Sequence, residues 1–259
     1  MPLNFNYLKR FHLLFFSLLF FCSSLNAQDV DALFQQANEL YQAKDYQAAV
    51  QQYESILSAG FRSADLYYNI GNCYYQDGSL GKAILHYERA ALMAPGDKDI
   101  QYNLALAGAQ VKDELAKIPS FFLTRWWSAV HRSMSSGSWS VWMLLFCWLG
   151  MGGLAVWLMG TNRQQRKRGF LAGLILLLCS GLCWGLTRSQ KAFETSNPYG
   201  IILSEETALR SGPDESSTEL LPLHEGTKVR ILDQLGPWKK VRLPDGDQGW
   251  LADEVLERI

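Results

Sequence analysis

The sequence predicts a multi-domain membrane protein made of an all-α repeat solenoid, a two-helix transmembrane hairpin and a small all-β barrel. Two uncharged apolar runs around a basic turn indicate the hairpin. A 34-residue repeat indicates the solenoid, and short β-type runs divided by Gly and Pro indicate the barrel. The predicted segments are a signal peptide 1–27, repeats 28–118, an aromatic juxtamembrane segment 119–138, membrane helices 139–160 and 169–187 around a basic loop 161–168, a linker 188–197 and a barrel 198–259.

The hairpin is predicted from length and charge. The runs 139–160 and 169–187 contain no charged side chain, and as helices they reach ~33 and ~28 Å, about the hydrocarbon thickness of a bilayer. Short Lys/Arg-rich loops stay cytoplasmic, so both flanking regions are expected on the outer side. Two buried core helices of a soluble protein are the alternative. The orienting residues are Arg163, Arg166, Lys167 and Arg168.

The N-terminus reads as a secretory signal peptide. Lys9 and Arg10 precede an apolar run, and Ala27 provides a small residue before the expected cleavage. Cleavage leaves the new N-terminus outside, which agrees with the basic loop. The expected location is therefore the inner (cytoplasmic) membrane, crossed twice, with the solenoid and the barrel on the periplasmic side.

The solenoid is predicted from residues that recur after 34 positions. Ala37 aligns with Gly71, and Tyr53 aligns with Tyr87. The second copy resembles a tetratricopeptide repeat (TPR), in which small residues lie where helices cross, aromatic residues fill the gap and Pro ends the second helix. Two repeats and a capping helix over 99–117 are expected. The residues that carry this resemblance are Gly71, Tyr74, Ala83, Tyr87, Ala90 and Pro95.

The first helix of each repeat is expected to line a concave partner-binding groove. The resemblance implies that Asn38, Asn72 and Asn103 hold an extended peptide backbone, as in carboxylate-clamp TPR proteins. Phe34 and Tyr68 stand where that clamp carries lysines, so a free carboxylate is not expected as the ligand. The predicted groove residues are Asp31, Phe34, Gln35, Asn38, Tyr41, Asp65, Tyr68, Asn69, Asn72, Tyr75, Asp99, Tyr102, Asn103 and Leu106.

Three of these groove positions carry an aspartate at the period of the repeat. As groove contacts, Asp31, Asp65 and Asp99 favour a neutral or basic partner segment. As helix caps or first-turn acids they are explained by local structure alone. The two roles are not exclusive.

Aromatic and small residues mark the region next to the membrane and inside it. The aromatic segment contains Trp126 and Trp127 with nearby Arg side chains, which is typical of a headgroup-layer segment. A cap of the solenoid is the alternative. Glycines in both runs, spaced at multiples of four in the second, predict that the membrane helices pack on each other or on another membrane protein. Those glycines are Gly150, Gly153 and Gly160 in the first run and Gly169, Gly173, Gly181 and Gly185 in the second.

The C-terminal region is predicted to form about five short strands. Asp245-Gly246 between two β-type runs is a hairpin signal. The region resembles the bacterial SH3-like (SH3b) domain, a fold that does not by itself identify a ligand. The segments that carry this resemblance are 209–213 (LRSGP), 224–226 (HEG) and 249–251 (GWL).

The order of the parts resembles E-type proteins of the Bacteroides aerotolerance (Bat) operon. The resemblance implies a non-enzymatic scaffold that assembles with other membrane-anchored Bat-type proteins and is linked to aerotolerance or envelope stress. The alternative is a cell-wall attachment protein whose SH3b domain binds peptidoglycan. A formal net charge of -1 gives no indication of nucleic-acid binding. No catalytic motif is present, and no cofactor or metal is expected. His86 is expected on a helix surface.

Overall fold

The computed structural model of the protein describes residues 29–116, 122–131, 133–195 and 198–259. The predicted signal peptide therefore lies outside the described residues, as do the first positions of the aromatic segment. Five helices form the N-terminal repeat region, residues 29–116. They are α1 over 29–42, α2 over Tyr46–Ser58, α3 over Ala64–Gln76, α4 over Leu80–Met93 and α5 over Lys98–Gly108.

The predicted pattern of small and aromatic residues packs these helices together. A Cβ atom on Gly71 would lie 2.6 Å from the ring of Tyr87, so α3 and α4 approach closely only because residue 71 is glycine. Tyr53 and Tyr87, aligned by the repeat, are both fully buried. Asp45, Ser63 and Asp97 cap α2, α3 and α5 by accepting hydrogen bonds from main-chain N–H groups.

The capping helix is shorter than predicted. α5 ends at Gly108 rather than continuing to residue 117, and residues 111–116 are not helical. Glycine is a poor helix former, and the chain beyond it packs on the C-terminal residues instead. Val111 and Leu115 both contribute to cores that contain residues after 198.

Two long apolar helices follow the short helix α6, which covers Phe122–His131. They are α7 over Ser136–Met159 and α8 over Arg163–Thr195. Both are long and apolar enough to cross a membrane. Within their most apolar stretches, 6% of α7 and 28% of α8 is buried, whereas the core helix of a soluble protein is mostly buried. The aromatic side chains of Trp126 and Trp127 on α6 are exposed.

Two predicted boundaries of this helix pair are wrong. The turn is confined to residues 160–162, so the four basic residues lie in the first turns of α8 rather than in a loop. The predicted linker 188–197 is helical as far as Thr195. It contains no Gly or Pro before Pro198, and its Gln, Lys and Ala residues are good helix formers.

Four of the predicted glycines bring α7 and α8 into close contact. A Cβ on Gly153 would lie 2.8 Å from the main chain of Gly173, and one on Gly169 would lie 2.9 Å from the carbonyl oxygen of Gly153. Gly150 lies equally close to Leu177. Gly181 and Gly185 have no such neighbour among the described residues. The close glycine contacts therefore lie in the part of the helix pair nearer its turn, and farther along Ser180 donates to the carbonyl oxygen of Met143 at 2.9 Å.

Residues 198–259 form the C-terminal sheet, which has 7 antiparallel strands in the order β3-β2-β6-β5-β4-β1-β7. Leu223 of β3 and Leu256 of β7 lie in one buried cluster although their strands are at opposite ends of the order, so the sheet curls around one core. The strands are β1 over Tyr199–Ile202, β2 over Glu206–Arg210, β3 over Glu219–His224, β4 over Lys228–Leu235, β5 over Trp238–Arg242, β6 over Gln248–Ala252 and β7 over Leu256–Arg258.

The strand count differs from the five predicted. The predicted Asp245-Gly246 turn is confirmed, because β5 pairs with β6 around it and Gly246 has φ 102°. Four β-type runs located in the sequence correspond to β1, β4, β5 and β6, whereas no run was located at β2, β3 or β7. β3 contains Pro222, which normally argues against a strand, but β3 pairs only with β2 and lies at an edge of the sheet.

Candidate functional site

The predicted groove contains a cavity of about 240 Å³ on the inner side of the repeat region. Six predicted groove residues line it together with Gln76 and Tyr87, and none of the lining residues is charged. The structure thus brings residues from α1, α3, α4 and α5 to one place. The six predicted lining residues are Tyr41, Tyr68, Asn72, Tyr75, Asn103 and Leu106.

Two asparagine networks hold this surface in place. The Oδ1 atom of Asn72 accepts from the hydroxyl of Tyr87 at 2.8 Å and from Nδ2 of Asn103 at 3.0 Å. One repeat earlier, Oδ1 of Asn38 accepts from Tyr53 at 2.5 Å and from Asn69 at 3.3 Å. The Oδ1 atoms of Asn38 and Asn72, which were predicted to bind a peptide, therefore accept hydrogen bonds from neighbouring helices instead.

The cavity offers several hydrogen-bond donors. The hydroxyl of Tyr68 accepts from Nδ2 of Asn103 at 2.9 Å, and that of Tyr75 accepts from Gln110. Each hydroxyl therefore keeps its own hydrogen for donation. The Nδ2 group of Asn72 makes no hydrogen bond within the described residues. These groups suit carbonyl oxygens, such as those of an extended peptide.

Burial keeps the tyrosines of this surface protonated. Burial raises the pKa of Tyr53 to about 12 and raises the pKa of Tyr41 and of Tyr87. The O–H groups of these three tyrosines are therefore present throughout the physiological pH range.

The acidic positions lie nearer the start of the helices. Asp31, Phe34 and Asp65 line a separate depression of about 280 Å³. Ser63 and Asp97 are the caps of α3 and α5, so Asp65 and Asp99 are first-turn acids. Tyr102, a predicted groove residue, is 69% exposed.

His86 is not on a helix surface as predicted, since it is buried on α4. Its ring stacks on Tyr74 with centroids 5.4 Å apart and lies 6.0 Å from the ring of Tyr67. Among the described residues, the Nδ1 atom has no hydrogen-bond partner. Burial, with lesser effects from Arg89 and Lys82, lowers the pKa of His86 to about 3.

The opposite side of the repeat region contacts the C-terminal sheet through an aspartate that sequence reasoning missed. The carboxylate of Asp113 accepts hydrogen bonds from the main-chain N–H of His224 at 2.8 Å and from the hydroxyl of Thr227 at 2.6 Å. The ring Nδ1 of His224 lies 2.7 Å from the same carboxylate. Burial opposes ionisation, but the bonds from Thr227 and His224 hold the pKa of Asp113 below its usual value.

The start of α4 is completed by the C-terminal sheet. Ser79 makes no side-chain capping bond, and Glu225 instead accepts from the main-chain N–H of Gly81 at 3.0 Å. A Cβ on Gly81 would lie 2.8 Å from the carbonyl oxygen of Ile202, and one on Gly226 would lie 2.9 Å from Ile84. Two glycines therefore permit this contact.

Ion pairs extend the same contact along α4. Lys228 lies 2.6 Å from Glu88, and Arg89 donates at 2.7 Å both to Glu257 and to the carbonyl oxygen of Arg258. Ile201 is buried with residues of α4 and α5 in one cluster. We call this set of contacts between residues 79–113 and residues 201–258 the clasp.

A smaller contact ties α6 to the end of α8. The Nδ1 atom of His131 lies 3.1 Å from Oε1 of Gln190, and both side chains are buried. The indole of Trp139 donates to the carbonyl oxygen of His131 at 3.2 Å. Gln190 falls in the predicted linker 188–197, but in the structure it is part of α8.

The comparisons with known proteins support the repeat interpretation. Residues 34–100 match the family model described as tetratricopeptide repeat. This match covers α2, α3, α4 and most of α1, and it confirms the TPR prediction there, whereas Asn103 and Leu106 of α5 lie beyond it. Repeats of this family are typically non-catalytic modules that bind other proteins, which indicates a protein–protein interaction role. No curated protein matches the chain.

No group of three or more His, Cys, Asp or Glu side chains that could hold a metal ion occurs within the described residues. The cysteines described are free, and Cys73 is buried. The tyrosine, asparagine, glutamine and leucine side chains that line the groove cavity provide hydrogen bonding and apolar contact.

Proposed function

We propose that the protein is a non-enzymatic scaffold of the inner membrane that presents a peptide-binding TPR groove in the periplasm. The observation that carries the proposal is the clasp, because it joins residues before the apolar helix pair to residues after it. A bilayer would separate regions on opposite faces, so this contact supports two crossings with both regions on one side. The basic start of α8 supports a cytoplasmic turn.

The groove is proposed to bind a segment of a protein partner in an extended conformation. The neutral, donor-rich cavity around Tyr68, Asn72 and Tyr75 supports recognition of carbonyl groups. Asp31, Asp65 and Asp99 favour a neutral or basic segment. The resemblance to the Bat E-type proteins implies membrane-anchored Bat-type partners and a role in aerotolerance or envelope stress.

The C-terminal sheet is proposed to be an SH3b-like domain that braces the TPR. Of its resemblance segments, His224, Glu225 and Gly226 lie in the clasp, which supports an internal structural role. Peptidoglycan attachment through this domain is the alternative function. Sedimentation of the whole protein with purified cell-wall sacculi tests it, since attachment predicts co-sedimentation of the protein.

The groove is best tested at Leu106. This residue lines the cavity and is 41% exposed, so Leu106→Arg adds charge and bulk without breaking the asparagine networks. Leu235→Arg is the matched control, because Leu235 is 59% exposed and belongs to the C-terminal sheet. We expect membrane-anchored partners to co-purify with the wild type and the control but to be lost from Leu106→Arg, as measured by mass spectrometry.

The same partners bound to all three forms would contradict a groove-dependent scaffold. Asn72 and Asn103 are less suitable targets, because replacing either would leave buried tyrosine or amide groups without partners and would destabilise the helices themselves.

A further inference from the structure

A cavity of about 700 Å³ lies between the outer side of the repeat region and the start of α7. Ser135 and Ser136 line it, and Ser135 is the N-cap of α7, accepting a hydrogen bond from the main-chain N–H of Ser138. If α7 crosses the bilayer as proposed above, this cavity is located at the level of the lipid headgroups. A ligand of this cavity would then enter from the membrane surface as readily as from solution.

Two cationic side chains line the cavity, and they differ in what surrounds them. Arg89 is held by the clasp, 2.7 Å from Glu257, and its charge is largely neutralised. Arg62 lies in the turn between α2 and α3, is exposed, and makes no ion pair or hydrogen bond within the described residues. Arg62 therefore provides a net positive charge with unused donors.

The cavity wall also has an apolar part, beside the polar side chains of Tyr67, Ser135 and Ser136. Leu57, Leu92 and Met93 line the cavity, and Met93 is 40% exposed. An inorganic anion would use the guanidinium groups but would leave this apolar surface in contact with water. An amphiphile with a phosphate and an adjoining hydrocarbon part would satisfy both.

We propose that this cavity binds the phosphodiester headgroup of a membrane phospholipid, with Arg62 as the main phosphate ligand. Guanidinium groups bind phosphate oxygens through paired, charge-assisted hydrogen bonds. The inference rests on the proposed function, because it requires α7 to enter a bilayer next to the cavity. It adds a lipid contact of the TPR itself, separate from the apolar surfaces of α7 and α8.

Native mass spectrometry of the whole protein in mild detergent with phosphatidylglycerol tests this inference. We expect one retained lipid on the wild type and about a tenfold loss of occupancy in Arg62→Gln, because one charge-assisted contact is removed. Arg62→Lys keeps the charge and should retain most of the lipid. Lys98→Gln is the control, since Lys98 is an exposed cation of the same region that does not line the cavity.

Equal lipid occupancy in the wild type and Arg62→Gln would overturn the inference. Displacement of the lipid by millimolar inorganic phosphate would also overturn it, because the apolar wall would then contribute nothing. Extraction of cell membranes with alkaline carbonate tests membrane insertion separately. If the protein stays in the membrane but its lipid occupancy does not depend on Arg62, the lipid-binding proposal is refuted and the proposed membrane insertion is not.

Discussion

At the scale of single residues, the burial of His86 makes the stability of the protein depend on pH. Its folded-state pKa of about 3 lies below the value of ~6.5 expected in an unfolded chain. As pH falls below the unfolded value, the unfolded state binds a proton that the folded state excludes. The free energy of unfolding therefore falls with pH in this window, by up to ~1.4 kcal/mol per pH unit.

Replacing His86 with Phe should stabilise the protein and reduce the fall of its free energy of unfolding at acidic pH. Phe preserves the ring contacts with Tyr67 and Tyr74 and removes a buried nitrogen that has no partner in the described structure, which is worth about 1 kcal/mol. Thermal unfolding of the purified protein between about pH 4 and pH 8 checks this. An unchanged pH dependence in His86→Phe would show that other groups control acid unfolding.

The repeat period grouped Tyr68, Asn72 and Asn103, because helix spacing determines which side chains share a face. All three line one cavity, and their role in partner binding stays a prediction. The repeat period could not show that His86 lies between two tyrosines or that His224 reaches Asp113. Those contacts depend on how distant segments pack, and no local pattern encodes it.

At the scale of elements, the hairpin depends on its glycines unequally. Gly173 touches the main chain of α7, whereas Gly181 has open space around it among the described residues. Gly173→Val should therefore push α7 and α8 apart and lower the melting temperature of the detergent-solubilised protein. Gly181→Val should have little effect, because its added methyl groups meet no neighbour.

Equal effects of the two substitutions would contradict the packing of α7 on α8. A larger effect of Gly181→Val would instead indicate that a further helix occupies that face in the membrane.

Element boundaries were predicted least well where tertiary contacts override local preference. α5 stops at Gly108 because Val111 and Leu115 pack elsewhere, and α8 continues to Thr195 because nothing interrupts it before Pro198. β3 was missed because of Pro222, which an edge strand tolerates. The types of the three regions, by contrast, followed from periodicity and turn residues.

At the scale of the whole molecule, Asp113 connects the two outer regions. Its carboxylate is 9% exposed and receives bonds from both His224 and Thr227. Asp113→Ala should leave these donors unsatisfied and weaken the clasp by about 2–3 kcal/mol. Hydrogen exchange of the amides in α4 and β4 should become faster, while Asp77→Ala, a change at an exposed aspartate, should not affect it.

The low pKa of Asp113 gives the clasp its own pH dependence. The stabilisation is present above the unfolded carboxyl value of ~3.9 and is lost as pH falls through the lower folded value. If amide hydrogen exchange in β4 is as slow in Asp113→Ala as in the wild type, the ion pairs along α4 maintain the clasp without Asp113.

The orientation of the molecule is tested by single cysteines at exposed positions. A membrane-impermeant maleimide should label Gln36→Cys and Glu215→Cys in spheroplasts, because both regions are proposed to face the periplasm. Gln165→Cys, next to the hairpin turn, should be labelled only after the membrane is permeabilised. Labelling of Gln36→Cys but not Glu215→Cys would place the two regions on opposite sides and exclude the clasp in cells.

The capping of α4 by Glu225 also affects how the chain matures. Synthesis proceeds from the N-terminus, so the repeat region and both apolar helices emerge before the residues that cover α4 exist. During that interval Gly81 has an uncapped N–H group, and Ile84 and Val111 lack the neighbours that Gly226 later provides. Chains that end before β4 would keep this apolar surface of α4 and Val111 exposed. Quality-control proteases could use the exposed surface to distinguish unfinished copies from complete ones.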